Sequence, residues 1–449
     1  MEFPKVLVIS QPFTNDTGGG ITQSNLFSGW DRDKIAVICS GIDFKNNIDT
    51  SICNTYYQLG GKELYWTFPF NLINRKYTSG VFKFEERKEG TLPIKKSRTR
   101  VKVIMKYFLP LMEFTGLIYV AKKLELSDEL RSWLDEFKPD VIYAQASSKH
   151  LLSFNVAVQS YLKKPMVFHM MDDWPSLSTN KGIFKNYWKK QIDSEFRIML
   201  DKSSVLMSIC DEMSSEYKRR YNKDFIPFHN PVDLDIWKPY QRNNYDLTDS
   251  PTILYAGRIG LGIDSSLELI AKSIDQVNDE LNLSIKFILQ TESKPDWSDA
   301  YNCVQHQSFV AYNDLPKVFS GADFLILPYD FSVKSIQFIK YSMPTKASEF
   351  MISGTPIIIF APEETAIVKY ARNYHWAKII TENNSEKLVE SIKSLILNKD
   401  ERQQYAQNAI RIAEQNHKAS KITKEFREVI SSLAEDTEIK KEKAKREVV

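Results

Sequence analysis

The chain has 449 residues, of which 43% are hydrophobic and 26% charged, and its formal net charge is +3. This length favours two domains, and this composition is typical of a soluble globular enzyme. The small net charge argues against a nucleic-acid-binding protein, which usually has a strong basic excess.

The cysteines and the N-terminus indicate an intracellular protein. Four cysteines lie far apart and form no Cys-x-x-Cys pair, so we expect reduced thiols, a cytoplasmic location and no zinc site. The first ten residues lack the basic start and long apolar core of a signal peptide. No apolar run reaches about 18 residues, so no membrane span is expected.

The first half of the chain alternates predicted strands and helices. Residues 5–10 form a predicted strand, 11–20 a polar glycine-rich loop, and 21–30 a helix. Residues 42–95 show no periodicity and are expected to be irregular. The other predicted elements cover residues 34–40, 126–137, 139–146, 148–161, 165–173, 182–201, 203–210 and 211–221. This order predicts a parallel sheet with crossover helices.

The second half repeats the alternation after a break at 226–250, where proline, asparagine and aspartate without periodicity indicate a linker. Its predicted elements cover residues 252–259, 264–280, 284–290, 304–310, 313–321, 323–329, 345–353, 356–360, 363–372, 377–382, 385–398 and 400–416. We therefore predict an α/β fold of two doubly wound, Rossmann-like domains facing across a cleft.

The predicted boundaries follow from this pattern. They are 1–235 for the N-terminal domain, 236–250 for the linker, 251–415 for the C-terminal domain, 416–435 for a terminal helix packing back on the N-terminal domain, and 436–449 for a charged tail expected to fray.

Two short segments carry the clearest candidate site residues. In "TILYAGRIGLGID" (252–264), Arg258 directly follows a predicted strand, and glycines around it allow a close backbone approach before a helix N-terminus. An arginine beside exposed amides suits a diphosphate; a plain turn with a surface arginine is the alternative.

In "SMPTKASEFMISGTPIIIF" (342–360), Lys346 and Glu349 share one face of a short predicted helix. A lysine in the first turn opposes the helix dipole, and a bound anion would rationalise it. A carboxylate one turn later can accept two hydrogen bonds from a vicinal diol. The alternative is an exposed intrahelical ion pair.

Together these segments resemble a known family. With "FVAYNDLPKVFSGADFLILP" (309–328), "FHNPVDLDIWKP" (228–239), "VFHMMDDWP" (167–175) and "TGGGITQSN" (17–25), they resemble the GT-B glycosyltransferases, most nearly the large retaining family 4, also called group 1. The six motifs occur in the order typical of that family and involve both halves of the chain.

The resemblance implies a role for each matching position. Arg258 would hold the donor diphosphate with Lys346 beside the phosphates, and Glu349 would hold the ribose hydroxyls. The C-terminal domain would bind the nucleotide sugar, with further donor contacts at Gly257, Phe309 and Val310. Gly19 and Gly20 would let the glycine-rich loop of the N-terminal domain come close to the donor phosphate and sugar. His169 would lie near the donor sugar and accept a hydrogen bond from its hydroxyl, and it would be a catalytic residue together with Arg258 and Lys346. If the family resemblance is set aside, His169 is expected to be a hydrogen-bonded histidine at the end of a strand. Asp172 and Asp173 are then expected to cap a helix or to lie in a loop.

Two departures from the family pattern bear on these roles. The lysine usual about five residues after the arginine is missing, and Lys346 or Lys334 would replace it. Tyr341 stands where the family often has a glutamate. Pro344, Lys346 and Glu349 nevertheless match the "P-x-K-x-x-E" pattern of a subset of the family.

The implied activity is transfer of a sugar from a nucleoside diphosphate sugar, with retention, to a glycan or lipid-linked acceptor bound by the N-terminal domain. The implied process is surface polysaccharide or glycoconjugate synthesis. No metal and no cofactor are expected, because cations and helix N-termini would stabilise the leaving diphosphate. Asp31 and Asp33 in "DRD" are expected to form a polar turn rather than a metal site.

The basic stretch 95–123 permits two interpretations: an amphipathic element at an anionic membrane, making the protein peripheral at the inner face of the cell membrane, or a solvated helix followed by a core helix. Its cations are Lys95, Lys96, Arg98, Arg100, Lys102 and Lys106.

Two alternatives to a glycosyltransferase remain within the same fold. One is an inactive GT-B relative that binds a nucleotide or partner, and the other is a GT-B nucleotide-sugar epimerase. A dinucleotide dehydrogenase is disfavoured, because no GxGxxG follows a strand.

Overall fold

The computed structural model describes residues 3–14, 17–40, 48–67, 78–83, 104–177, 182–260 and 262–446. The chain forms two compact units. Unit 1 comprises residues 1–227 together with 425–449, and unit 2 comprises residues 228–424.

Unit 1 is built on a largely parallel eight-stranded sheet in the order β10-β9-β8-β7-β1-β2-β3-β5. Among the described strands of this sheet, β5 alone runs antiparallel to its neighbour. A separate antiparallel pair joins β4 and β6. The strands are β1 Val6–Ile9, β2 Ile35–Ser40, β3 Thr55–Leu59, β4 Leu64–Trp66, β5 Gly80–Lys83, β6 Lys122–Leu124, β7 Val141–Ala144, β8 Met166–Met170, β9 Val205–Ser208 and β10 Ile226–Pro227.

The central strands of this sheet are short apolar runs because helices cover both faces, as is usual for parallel sheets. The helices are α1 Gly18–Leu26, α2 Leu109–Thr115, α3 Asp128–Phe137, α4 Lys149–Leu162, α5 Trp174–Leu177, α6 Lys185–Lys202 and α7 Asp211–Tyr221. The C-terminal α16, Ala419–Arg446, passes from unit 2 into unit 1. There Phe426 packs edge-on against Phe27 and Tyr143.

Three expectations for these regions need correction. The stretch 42–95 is not irregular throughout, because β3, β4 and β5 lie in its described parts. The glycines at 18–20 form the first turn of α1 rather than a loop, since the Thr17 hydroxyl caps that turn by accepting from the Gly20 amide at 3.1 Å. The charged tail continues α16 as helix to Arg446. Residues 95, 96, 98, 100 and 102 of the basic stretch lie outside the described residues.

Unit 2 contains a six-stranded parallel sheet in the order β13-β12-β11-β14-β15-β16. Counted from β11, this is the order 3-2-1-4-5-6 of dinucleotide-binding folds. The strands are β11 Thr252–Ala256, β12 Lys286–Gln290, β13 Val304–Gln307, β14 Phe324–Pro328, β15 Ile357–Phe360 and β16 Lys378–Ile380. The chain order reverses between β11 and β14, and a crevice is expected at the carboxyl ends of these two strands.

Alternate residues of β11 enter two separate cores, one on each face of the sheet. Leu254 packs in one with Phe350 and Ile412, and Ile253 in the other with Ile270. The helices that supply these cores and flank the sheet are α8 Leu234–Trp237, α9 Asp264–Leu281, α10 Leu315–Gly321, α11 Val333–Ile339, α12 Lys346–Ser353, α13 Ala366–Tyr374, α14 Ser385–Leu397 and α15 Lys399–Asn416.

The segment predicted as a linker is packed into unit 2. Trp237 is 2% exposed and its ring lies 5.8 Å from that of Phe319. Arg242 forms an ion pair at 3.0 Å with Asp323, which is itself buried. Aromatic burial and a shielded charge pair hold these residues, so the compact units divide at 227/228 rather than across 236–250.

Candidate functional site

The candidate site in unit 2 begins where β11 ends. The Gly257 amide donates to the Gln290 carbonyl at 3.0 Å, and the chain then turns through Arg258 towards α9. Gly260 and Gly262 have φ values of +135° and +90°, a region that favours glycine. The glycine-rich turn therefore lies at the carboxyl edge of the sheet, beside the point where strand order reverses.

Asp330, which follows β14, ties this turn to the neighbouring strand. Its carboxylate accepts from the Ser266 amide at 2.9 Å and the Ser265 hydroxyl at 2.8 Å, and its own amide donates to the Gly262 carbonyl. Asp330 therefore occupies one backbone donor of the α9 N-terminus, the helix end that the sequence places beside the candidate site. In the sequence, the position of this aspartate directly after the predicted strand "DFLILPY" is the feature that could have predicted this contact.

Lys346 reaches into the same place from the start of α12. Its ammonium donates to the Ala256 carbonyl at the end of β11 and lies 5.0 Å from the Tyr255 ring centroid. Although the residue as a whole is partly exposed, burial of the ammonium, with a smaller contribution from the nearby Arg258, lowers the pKa of Lys346 to about 8 against the opposing charge of Glu349. The cation is thus held where its solvation is poor, a situation that a bound anion relieves.

Gly257 makes this placement possible. A Cβ at Gly257 would lie 2.1 Å from the Lys346 ammonium nitrogen, far closer than atoms approach. The absent side chain therefore leaves the space that the ammonium occupies.

Glu349 is 3% exposed, one helical turn after Lys346. Burial raises its pKa to about 7, although the Tyr312 hydroxyl, which donates to it at 3.0 Å, and the charge of Lys346 both oppose the rise. The two side chains form no direct salt bridge. Because Glu349 is buried, the alternative of an exposed ion pair on α12 is wrong.

Tyr312 was missed as a separate candidate, although it lies in the quoted segment 309–328. Its bond to Glu349 brings the loop after β13 next to α12. Phe309, 53% exposed, and the partly buried Val310 belong to this loop.

Arg258 is exposed, and its guanidinium carbon lies 5.7 Å from the ring centroid of Phe338 on α11. Among the described residues, no carboxylate lies within salt-bridge distance of it. The guanidinium is therefore available to a ligand.

The two departures from the family pattern also have defined positions. Lys334, which with Lys346 could replace the missing lysine, is exposed on α11, a helix that the sequence did not predict. Tyr341 is 9% exposed, and the Lys340 ammonium lies 5.4 Å from its ring centroid.

Unit 1 has its own polar group at the reversal of strand order, between β1 and β7. The Ser10 hydroxyl donates to the Gln145 side-chain oxygen at 2.7 Å, and the Gln145 amide donates to the Tyr143 hydroxyl at 3.1 Å. That hydroxyl lies 2.7 Å from Nδ1 of His169. His169 lies within β8 and is fully buried, and this burial lowers its pKa to about 3, so the ring is neutral.

The acidic candidates of unit 1 are the pair at 172–173 and the "DRD" segment. Asp173 forms an ion pair with Arg220 at 3.0 Å and accepts from the Tyr217 hydroxyl at 2.9 Å, whereas Asp172 is exposed. Asp31 caps a short turn by accepting from the Asp33 amide at 3.1 Å. Nowhere in the described part of the chain do three or more histidine, cysteine or acidic side chains form a group suited to a metal ion.

Gly19 and Gly20 lie in the first turn of α1 and allow it to approach the segment before it. A Cβ at Gly20 would lie 2.3 Å from the Thr14 methyl, and one at Gly19 would lie 2.3 Å from the Gln11 side-chain nitrogen. The run of three glycines marks this segment in the sequence. The sequence did not predict that these glycines let α1 pack against the preceding residues.

Solved structures with low sequence identity share this fold. Anabaena HepE, in complex with UDP and glucose, is 13% identical with a TM-score of 0.58, and the match covers 96% of this chain and 100% of that one. Sucrose-phosphate synthase from Thermosynechococcus elongatus is 10% identical with a TM-score of 0.60, covering 95% and 98%. A Rickettsia africae glycosyltransferase is 12% identical with a TM-score of 0.58, covering 96% and 98%.

These likenesses confirm the predicted GT-B class of fold with its two Rossmann-like domains. A sequence search of curated proteins found no match. Residues 238–412, which include Arg258, Lys346 and Glu349, match the family model described as "Glycosyl transferases group 1".

Proposed function

We propose that this protein is a glycosyltransferase that moves a sugar from a nucleoside diphosphate sugar to a glycan or lipid-linked acceptor. The observation that carries the proposal is the convergence of Arg258, Lys346 and Glu349 at the carboxyl edge of unit 2, where strand order reverses. That edge is where open α/β sheets bind nucleotides.

The donor fits this cluster by chemistry. The diphosphate lies between the exposed Arg258 guanidinium and the poorly solvated Lys346 ammonium. Glu349, held by Tyr312, accepts hydrogen bonds from the ribose hydroxyls. The backbone at Phe309 and Val310 meets the base. The fold neighbour HepE, solved with UDP and glucose, supports a nucleotide of this class.

Catalysis rests on the charge that develops as the glycosidic bond breaks. The bond between the anomeric carbon of the sugar and the diphosphate oxygen breaks, and the diphosphate leaves with an additional negative charge. The acceptor hydroxyl oxygen bonds to that carbon and gives up its proton, which balances the departing charge. Arg258 and Lys346 stabilise that charge in a fixed geometry, a contribution that needs no metal. Retention is proposed from the family resemblance, with no protein nucleophile assigned.

The acceptor is assigned to unit 1, and the family resemblance assigns Gly19, Gly20 and His169 of that unit to the donor. Because His169 is buried and neutral, any bond to a sugar hydroxyl would need its ring edge to become accessible. We place the activity in surface polysaccharide or glycoconjugate synthesis, in the cytoplasm at the inner face of the cell membrane. The described helices include none long and apolar enough to cross a membrane.

A binding panel followed by a variant tests the proposal. UDP-, GDP- and ADP-sugars are each added to the protein, and one nucleotide series should raise the melting temperature by mass action. With that donor, Arg258→Ala should reduce turnover about 10²- to 10³-fold, whereas the exposed Arg411→Ala in the same unit should not.

Near-wild-type sugar transfer by Arg258→Ala would overturn the assignment. Absence of both transfer and slow donor hydrolysis, with nucleotide binding intact, would indicate an inactive relative. Interconversion of donor epimers, followed by proton NMR, would indicate an epimerase.

A further inference from the structure

One buried side chain beside the candidate site has a hydrogen-bond donor without an acceptor. Gln290 is the last residue of β12 and is 1% exposed. Its side-chain nitrogen, Nε2, is buried, and no described residue accepts a hydrogen bond from it. A buried donor without a partner is unfavourable, and nearly all buried polar side chains are paired. An unpaired donor at this edge of the sheet therefore points to a ligand.

The strand register places Gln290 between the two strands from which the candidate site is built. Gln290 lies opposite Ala256 of β11 and opposite Gln307 of β13. The Ala256 carbonyl accepts from the Lys346 ammonium, and the Gln290 carbonyl accepts from the Gly257 amide at 3.0 Å. The backbone of Gln290 is thus bonded directly to the glycine-rich turn of the site.

The side chain of Gln290 lies on the face of the sheet that α12 covers. Successive side chains of a strand point to opposite faces. Leu289 belongs to the core on the other face, whereas Ile288 packs against the core that contains Phe350 of α12. Gln290, two residues after Ile288, therefore shares a face with the helix that supplies the lysine and the glutamate of the site.

The neighbouring strand places Gln290 beside the proposed base position. Tyr312 brings the loop after β13 next to Glu349, to which the ribose is assigned. Phe309 of the same loop is exposed and is assigned to the base. Gln307, two residues before Phe309, is exposed next to Gln290. Gln290 thus lies between the diphosphate turn after β11 and the loop assigned to the base.

We propose that the Gln290 side chain recognises the base of the donor nucleotide by donating from Nε2 to a carbonyl oxygen. Uracil has this oxygen on C4 and guanine on C6, whereas cytosine and adenine have an amino group there, which donates instead. The site should therefore prefer uracil to cytosine and guanine to adenine. Because Nε2 has no bond to the described chain, turning it towards a base breaks none. The inference rests on the proposed function and adds a class of base to it.

Calorimetry with two matched pairs of nucleotides tests this preference. UDP is compared with CDP, and GDP with ADP. In whichever pair binds, the wild type should bind the carbonyl-bearing member about tenfold more tightly, the effect of one hydrogen bond from a buried donor. Gln290→Met should lose this preference, and Gln290→Glu, which replaces the donor by an acceptor of the same shape, should reverse it. Gln305→Met, at an exposed position of β13, is the matched control and should keep it.

Thermal unfolding of the free protein separates recognition from a structural role. Methionine has a similar length and removes the unpaired donor, so Gln290→Met without nucleotide should melt at the wild-type temperature or above it. A clear fall in the melting temperature would show that Nε2 is held by the folded protein or by an enclosed water, and it would overturn the inference.

The calorimetric outcomes distinguish this inference from the proposed function. Equal affinity within a pair that binds, a preference for the amino-bearing member, or an unchanged preference in Gln290→Met would overturn base recognition by Gln290. Each of these results leaves nucleotide binding, and hence the proposed transfer reaction, standing. If the folded wild type bound none of the four nucleotides, the proposed function itself would be wrong.

Discussion

Replacing Glu349 by glutamine should make the protein more stable while weakening donor binding. The carboxylate is 3% exposed, and its burial raises its pKa from an ordinary 4.5 to about 7. Glutamine has the same shape, keeps an oxygen to accept from Tyr312, and removes the buried charge. Its amide oxygen is a weaker acceptor for ribose hydroxyls.

The size of the stabilisation follows from this rise in pKa. Below pH 4.5 the carboxyl is protonated in both the folded and unfolded states, so wild type and variant should be equally stable. Between pH 4.5 and 7 the folded state binds the extra proton, and the stability of the wild type falls as pH rises. Above pH 7 the difference should reach about 3 kcal/mol, at 1.36 kcal/mol per pKa unit.

Thermal unfolding at pH 4.5 and pH 8 measures this difference. At pH 8 the transition of unit 2 should occur about 6–12 °C higher in Glu349→Gln than in wild type, at about 2–4 °C per kcal/mol for a unit of this size. At pH 4.5, where half of the unfolded chains carry the ionised carboxylate, the difference should shrink to about 1 °C. The exposed Glu292→Gln in the same unit is the matched control and should show no such pH dependence. Equal or lower stability of Glu349→Gln at pH 8 would refute the reasoning.

Three further predictions concern named contacts. Donor affinity, measured by calorimetry, should fall as pH rises through about 8, where Lys346 loses its charge. The variant Lys346→Ala should bind the donor more weakly and show a smaller dependence on pH. Unchanged donor affinity in this variant would show that Lys346 does not contact the donor. Gly257→Ala should displace the Lys346 ammonium and reduce donor affinity severalfold, and it should also lower the melting temperature because a φ of +157° strains an alanine. Gly321→Ala, with open space around its Cβ, should change neither. Asp173→Asn should lower the free energy of unfolding by about 2 kcal/mol in urea titrations, because Arg220 loses a charged hydrogen-bond partner; no loss would show that Glu216 compensates fully.

Much of the fold was accessible from the sequence because parallel strands buried on both faces are continuous apolar runs. The predicted strands that became β1, β7, β8, β11, β14 and β15 are confirmed for this reason. The predicted helix at 345–353 is also confirmed, since Gly354 ends it with φ +76°. Short edge strands such as β5 and the brief α11 escaped prediction because they give too few residues for a period to appear.

The sequence by itself determined which residue types follow each strand: glycines and Arg258 after β11, and Lys346 and Glu349 at the start of a helix. Whether those side chains were exposed or buried was decided by the tertiary structure. α12 packs its face against the sheet, so Glu349 is shielded and bonded to Tyr312, a partner 37 residues away. Likewise, Lys346 turns from the start of its helix to the Ala256 carbonyl, 90 residues away. Such contacts depend on strand order, which local periodicity does not encode, and they give the two side chains their altered acidities.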